Sequence, residues 1–279
     1  MLLRFTKMHG LGNDFMMVDL ISQHVTLNPE LIKELSDRQF GIGFDQLLTV
    51  RPPEKSDNDF RYTVYNADGS EAEQCGNGAR CFLSFVRDEG LTTKSFIRLE
   101  TSNANISCKL EKDGNITVDM GKPALQPSKV PFVAESTQTK YDLSLRPEYP
   151  DIFSISAVNV GNPHAVITVP SVGNAPVLQV GPLIERHPRF PKGVNVGFME
   201  VVSRKKIKLR VFERGVGETK ACGSGACAAV VAGRLEGILD ATVDVQLTGG
   251  YLSVNWGGNN ETIKMTGPAC KVYEGRLQI

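Results

Sequence analysis

The same run of residues occurs twice in this 279-residue chain. Glu71-Ala72-Glu73-Gln74-Cys75-Gly76-Asn77-Gly78-Ala79 and Glu218-Thr219-Lys220-Ala221-Cys222-Gly223-Ser224-Gly225-Ala226 both read Glu, three residues, then Cys-Gly-[Asn/Ser]-Gly-Ala. Each continues into an apolar-rich stretch closed by a Glu-Gly pair, Glu89-Gly90 and Glu236-Gly237. The second copy lies 147 residues after the first, about half the chain, so the simplest fold has two similar domains. Asn66 and Glu213 each stand nine residues before their cysteine, which extends the repeat upstream.

The stretches after the cysteines, 79–89 and 226–236, have helix-forming composition and stop at glycine, the usual residue beyond a helix C-terminus. Asn77 and Ser224 suit an N-cap, so each helix is expected to begin at its Cys-Gly-x-Gly turn. A cysteine there meets the positive end of the helix dipole, which lowers a thiol pKa. The glycines allow N–H groups to approach a bound anion such as a carboxylate. One copy alone would read as a Gly-flanked turn with a packing cysteine. Two matched copies favour a pair of anion-receptive helix ends, each carrying a thiol.

Strand-like patterns surround both helices at 61–65, 116–120, 152–160, 165–169, 207–212, 243–247 and 263–266. Residues 29–38 read as a surface helix opened by Pro29. The segment 121–150 is rich in Pro, Ser and Lys and is expected to contain the crossing between halves. The fold class is therefore α/β (α+β), with two pseudo-symmetric domains. Each domain is a curved, mostly antiparallel sheet around a central helix, and the active site is expected in the interdomain cleft.

Lys and Arg number 31 and Asp and Glu 31, so the chain is formally neutral. That balance argues against nucleic acid and anionic membranes as partners. No apolar run approaches the roughly 20 residues of a membrane span, and no signal-peptide pattern is read, so a cytoplasmic location is expected. The six cysteines (75, 81, 108, 222, 227, 270) include no Cys-x-x-Cys, and the four histidines show no zinc-like pairing. No metal site is expected, and Cys81, Cys108, Cys227 and Cys270 read as small buried hydrophobes. The glycine pairs at 10/12 and 41/43 lack the third glycine of a dinucleotide fingerprint, so no nucleotide cofactor is supported.

Polar residues gather in short Gly-bounded loops: Met8-His9-Gly10-Leu11-Gly12-Asn13-Asp14-Phe15, Gly41-Ile42-Gly43-Phe44-Asp45-Gln46, Asn66-Ala67-Asp68-Gly69-Ser70, Gly161-Asn162-Pro163-His164, Asn195-Val196-Gly197-Phe198 and Glu213-Arg214-Gly215. With the two cysteine motifs, this set resembles the diaminopimelate epimerase family along nearly the whole chain. The resemblance implies a cofactor-independent enzyme interconverting LL- and meso-2,6-diaminoheptanedioate, a step serving lysine and peptidoglycan synthesis. It implies domains at 1–121 with 268–279 and at 122–267, with Cys75 and Cys222 as the base and acid. His164 and Glu213 would tune the cysteines. Asn13, Gln46, Asn66, Gly76, Asn77, Asn162, Asn195, Glu213, Arg214, Gly223 and Ser224 would bind substrate. It further implies a homodimer, with Tyr273 at a dimer contact.

Inverting a stereocentre needs a base on one face of the carbon and an acid on the other, which two equivalent thiols can supply. The reacting carboxylate would rest on the N–H groups after each cysteine, and Arg214 could clasp the distal carboxylate. A proline or hydroxyproline racemase is the nearest rival, but a monocarboxylic substrate would not need Arg214 with several loop asparagines. A thiol redox or metal-binding protein is opposed by the cysteine spacing. A non-catalytic amino-acid-binding module would leave two aligned thiols unexplained.

Overall fold

Positive-φ glycines end both repeat helices, Gly90 at +70° and Gly237 at +73°, and the chain builds a similar unit around each helix. The computed structural model describes residues 2–72, 75–102, 105–145, 152–258 and 260–279; Glu73 and Gln74 of the first motif and the end of the 121–150 crossing lie outside them. Two units are distinguished, Met1–Asp119 with Thr266–Ile279, and Met120–Met265.

The first unit runs β1 (Leu2–Gly10), β2 (Asn13–Asp19), α1 (Pro29–Ser36), β3 (Gln46–Arg51), β4 (Phe60–Asn66), β5 (Glu71–Ala72), α2 (Gly76–Asp88), β6 (Phe96–Glu100), β7 (Asn105–Leu110) and β8 (Ile116–Asp119). Next come β9 (Tyr141–Ser144), β10 (Ile152–Asn159), β11 (Pro163–Thr168), α3 (Val177–Glu185), β12 (Asn195–Ser203), β13 (Lys206–Glu213), β14 (Gly217–Thr219), α4 (Gly223–Leu235), β15 (Thr242–Leu247), β16 (Gly250–Asn255) and β17 (Lys264–Gly267). The last strand, β18 (Cys270–Gln278), belongs to the first unit, antiparallel to β1 with Leu2 opposite Gln278.

Pairing is antiparallel except where a helix crosses over, because only a crossover can return the chain in the same direction. In the first unit α1 connects the parallel pair β2–β3 and α2 the parallel pair β4–β6. In the second, α3 connects β11–β12 and α4 connects β13–β15. The registers correspond as well. Phe15 lies opposite Gln46, and Gln46 opposite Asn66. In the second unit His164 lies opposite Asn195, and the Val196–Phe212 pairing sets Asn195 against Glu213 one step on.

Each unit packs its strands on its central helix. Phe82 of α2 meets Phe60 and Tyr62 edge-on, at 5.9 and 5.1 Å between centroids. The middle of helix α4 is apolar all round, and Ala226 to Ala232 are fully buried, as expected of such a segment. A second cluster under α1 joins Leu3, Phe5, Met16, Ile32, Leu35 and Leu47. Its counterpart beside α3 joins Ile155, Val180, Ile184, Val196 and Phe198. Among the described residues, no helix is long and apolar enough to cross a membrane.

Three local expectations are corrected. The N-caps are the cysteines themselves, in extended conformation at φ −134° (Cys75) and −114° (Cys222), so Asn77 and Ser224 fall inside the first turn. The surface helix stops at Ser36 because the Asp37 backbone leaves the helical region. Cys270 is exposed, since it opens β18, whose residues largely face solvent.

Candidate functional site

The matched registers bring the same strand ends to the same helix end in each unit, so the predicted residues form two half-sites. Asn13, Gln46, Asn66 and Cys75 occupy the first; Asn162, Asn195, Glu213 and Cys222 occupy equivalent places in the second.

In the first half-site Cys75 is half-buried and caps α2, its sulfur accepting the Gly78 N–H at 3.4 Å. The thiol points to Asn13 Oδ1 at 3.6 Å, which also accepts Asn77 Nδ2 at 3.3 Å. Tyr62, on the neighbouring strand, donates its hydroxyl to the Cys75 carbonyl at 3.0 Å. Gln46 Nε2 donates to Asn66 Oδ1 at 3.1 Å, directly across the β3–β4 register. Gly78 is required here: a Cβ would stand 2.5 Å from Tyr62 Oη.

In the second half-site Cys222 is 4% exposed and its sulfur lies 3.6 Å from Ser224 Oγ. His164 Nε2 is 3.0 Å from the same hydroxyl and 2.9 Å from Asn162 Oδ1. An amide oxygen only accepts, so the tautomer that satisfies it carries its proton on Nε2. Burial first, then the Arg214 charge, push His164 down to about 3, so its ring is neutral. Glu213 accepts the Thr219 hydroxyl.

The expectation that a helix end lowers both thiols fails at Cys222. Burial and the adjacent Glu213 carboxylate push this thiol well above its usual value, while the Ser224 hydroxyl and Gly225 N–H pull only partly the other way. Desolvation and a like charge both disfavour the thiolate, and here they exceed the dipole.

Asn195 is 3% exposed and committed to the backbone, donating to the Pro163 carbonyl at 3.0 Å and accepting the Arg214 N–H at 2.9 Å. Arg214 itself is exposed, with one guanidinium N–H on the Lys192 carbonyl at 2.9 Å. Asn195 therefore shapes the Glu213-Arg214 turn, and Arg214 presents its charge at its rim. Tyr273 is 44% exposed on β18, edge-on to Phe5 at 6.0 Å. Sequence reasoning passed over Tyr62 and Arg80. An Arg at the start of the apolar stretch after Cys75 was the available signal for the latter. Among the described residues, no three His, Cys, Asp or Glu side chains are placed to hold a metal ion.

A family model described as diaminopimelate epimerase matches residues 5–126 and 156–272. A diaminopimelate epimerase from Thioalkalivibrio sulfidiphilus is 55% identical over 281 residues, spanning 100% of both chains. One from Ectopseudomonas mendocina is 53% identical over 279 residues, again with 100% of both covered. Among solved structures, a hydroxyproline epimerase from Agrobacterium vitis superposes with a TM-score of 0.71 at 13% identity, covering 99% of this chain and 92% of its own. A PhzF-family phenazine biosynthesis protein from Bacillus anthracis gives 0.67 at 16% identity, with both chains fully covered. At such identities the likeness concerns the fold alone.

Proposed function

The chain belongs to the diaminopimelate epimerase family and interconverts diaminopimelate stereoisomers in lysine biosynthesis; we propose that it does so by a two-base reaction between Cys75 and Cys222. The observation that carries this reading is the matched register, which gives each unit one cysteine at a helix N-cap beside equivalent polar strand ends. One thiolate removes the α-proton from one face and the opposing thiol protonates the other, with the roles exchanged in the reverse direction. The substrate is LL- or meso-2,6-diaminoheptanedioate. As the carbon loses its proton, charge moves into the reacting carboxylate. First-turn N–H groups have no acceptor within their own helix, and Gly76, Asn77, Gly223 and Ser224 occupy those turns. They form the preorganised anion site.

Cys222, buried and beside Glu213, rests as the thiol and serves as the acid toward one isomer. His164 acts on it as a neutral donor through Ser224, and Glu213 as a fixed negative charge. Asn13, Gln46, Asn66 and Asn162 read the ammonium groups, Asn195 holds the turn that carries Arg214, and Arg214 clasps the distal carboxylate bidentately. The same reading makes the protein a cytoplasmic homodimer with Tyr273 in the contact: sedimentation velocity is expected to show a dimer for wild type and a larger monomer fraction for Tyr273→Ala, and a monomeric wild type would overturn it.

The deciding experiment is epimerisation of LL-diaminopimelate in heavy water. The two-base reading requires deuterium at one α-carbon of nearly every early meso product, with recovered LL substrate still protiated. Product that retains the original hydrogen would show a single base returning its own proton and would overturn it.

A further inference from the structure

We propose that Arg80, which the mechanism above does not use, is a positioning residue for Cys75, fixing the side-chain chain that ends on its sulfur. The proposal rests on the reading of Cys75 as an acid–base residue. Arg80 is 0% exposed in the second turn of α2. Its Nε donates to the Pro268 carbonyl at 3.0 Å, and a terminal nitrogen donates to Asn77 Oδ1 at 3.1 Å. A guanidinium has only donors, so it admits only the oxygen of Asn77. Asn77 then turns its Nδ2 to Asn13 Oδ1, at 3.3 Å. At the far end Asn13 Nδ2 donates to the Asp45 carboxylate at 2.9 Å, a group that only accepts.

A donor-only residue at one end and an acceptor-only residue at the other leave the two amides a single order. Asn13 must therefore show its oxygen to Cys75 Sγ, at 3.6 Å. That oxygen accepts the S–H of the resting thiol, whereas a turned amide would add a donor to the thiolate beside the Gly78 N–H, so this order keeps the thiolate more basic toward a carbon acid. The second unit has no such device: the position 147 residues beyond Arg80 is the buried Cys227, and Ser224 stands where Asn77 does.

Arg80 also brings a fixed charge to this pocket. The titratable groups around it and Cys75 are Tyr62 on β4, Cys81 on α2, Cys108 on β7, Cys270 on β18 and, through Asn13, Asp45. Burial raises Cys81 and Cys108 to about 12, and in both the Arg80 charge opposes the rise. Arg80→Lys keeps that charge and loses the guanidinium fork, so it isolates the ordering of the two amides.

The test is the pH profile of iodoacetamide alkylation at Cys75 and Cys222, read separately by mass spectrometry, in wild type, Arg80→Met and Arg80→Lys. The expected result is a Cys75 midpoint lowered in Arg80→Lys, where the freed amides can turn a donor toward the thiolate, a higher midpoint in Arg80→Met, which loses the charge as well, and a Cys222 profile unmoved in both. A Cys75 midpoint that stays or rises in Arg80→Lys, or an equal shift at Cys222, overturns the proposal. Should Arg80→Met not fold, Arg80→Lys decides. A single ammonium cannot span both Pro268 O and Asn77 Oδ1, so kcat is expected to fall about tenfold with Cys222 alkylation unchanged; an unchanged kcat overturns the proposal. Alkylation reports on Arg80 independently of turnover, whereas an active Cys75→Ser would instead sink the acid–base reading.

Discussion

The imidazole of His164 stands 3.0 Å from the Ser224 hydroxyl, and the equivalent register position in the first unit is filled by Phe15. One unit thus carries a buried neutral base where its counterpart carries a hydrocarbon ring. Its acidity, about 3 against an ordinary 6.5, links it to folding. The unfolded chain binds a proton that the folded chain refuses, so the stability it lends is complete above 6.5 and is lost as pH falls toward 3. His164→Phe is expected to flatten the pH dependence of unfolding free energy through that window, measured by urea titration. An unaltered slope would show that His164 titrates normally.

Glu213 raises the Cys222 thiol through its charge, after burial has raised it already. Glu213→Gln removes the charge and keeps the size. Cys222 alkylation in this variant is expected to reach its midpoint at lower pH than in wild type, while turnover drops about tenfold or more. A midpoint that does not move would separate Glu213 from the acidity of Cys222.

Serine in place of either cysteine leaves a hydroxyl far too weakly acidic to cycle as base and acid. Cys75→Ser and Cys222→Ser are each expected to lose about 10²–10⁴ in kcat, with circular dichroism unchanged. A single variant retaining near-native epimerisation would defeat the two-thiol scheme.

Gly78→Ala sets two effects in opposition. Alanine favours a helix interior by about 1 kcal/mol, but its Cβ would lie 2.5 Å from Tyr62 Oη and 2.9 Å from Leu48 Cδ2. Overpacking of that kind costs about 1–3 kcal/mol, and moving Tyr62 also frees the carbonyl of Cys75. The clash wins. Calorimetry is expected to show a lower Tm, together with reduced kcat/KM; a stabilised, fully active variant would refute the packing.

Much of this was legible in the sequence because the repeat marks what both units must share. The spacing located α2, α4 and their terminal glycines, and it tied Asn66 to Glu213, which occupy equivalent strand ends. Period-two patterns found β4, β8, β13 and β15 nearly to their ends. Strands β2 and β3 escaped because each lies inside a sheet and reads as an unbroken apolar run (Met16-Met17-Val18, Leu47-Leu48) without alternation. Helix α3 was hidden by Pro182 in its middle. The weakened acidity of Cys222 could not be read from a helix-end argument, since it depends on how deeply the sulfur is buried and on a carboxylate nine residues upstream. Arg80 was visible as a letter, but its burial and its hold on Pro268, 188 residues away, are consequences of tertiary structure.

Because β18 pairs with β1 and Pro268, just before that strand, supplies the carbonyl that anchors Arg80, the unit synthesised first is the one finished last. On the ribosome, the Cys222 half has its residues while the Cys75 half still awaits the Pro268 carbonyl and the strand at Cys270–Gln278. A nascent chain therefore acquires its two sulfurs in working order in reverse of their genetic order, and a premature stop anywhere before Pro268 strips the older half of its support.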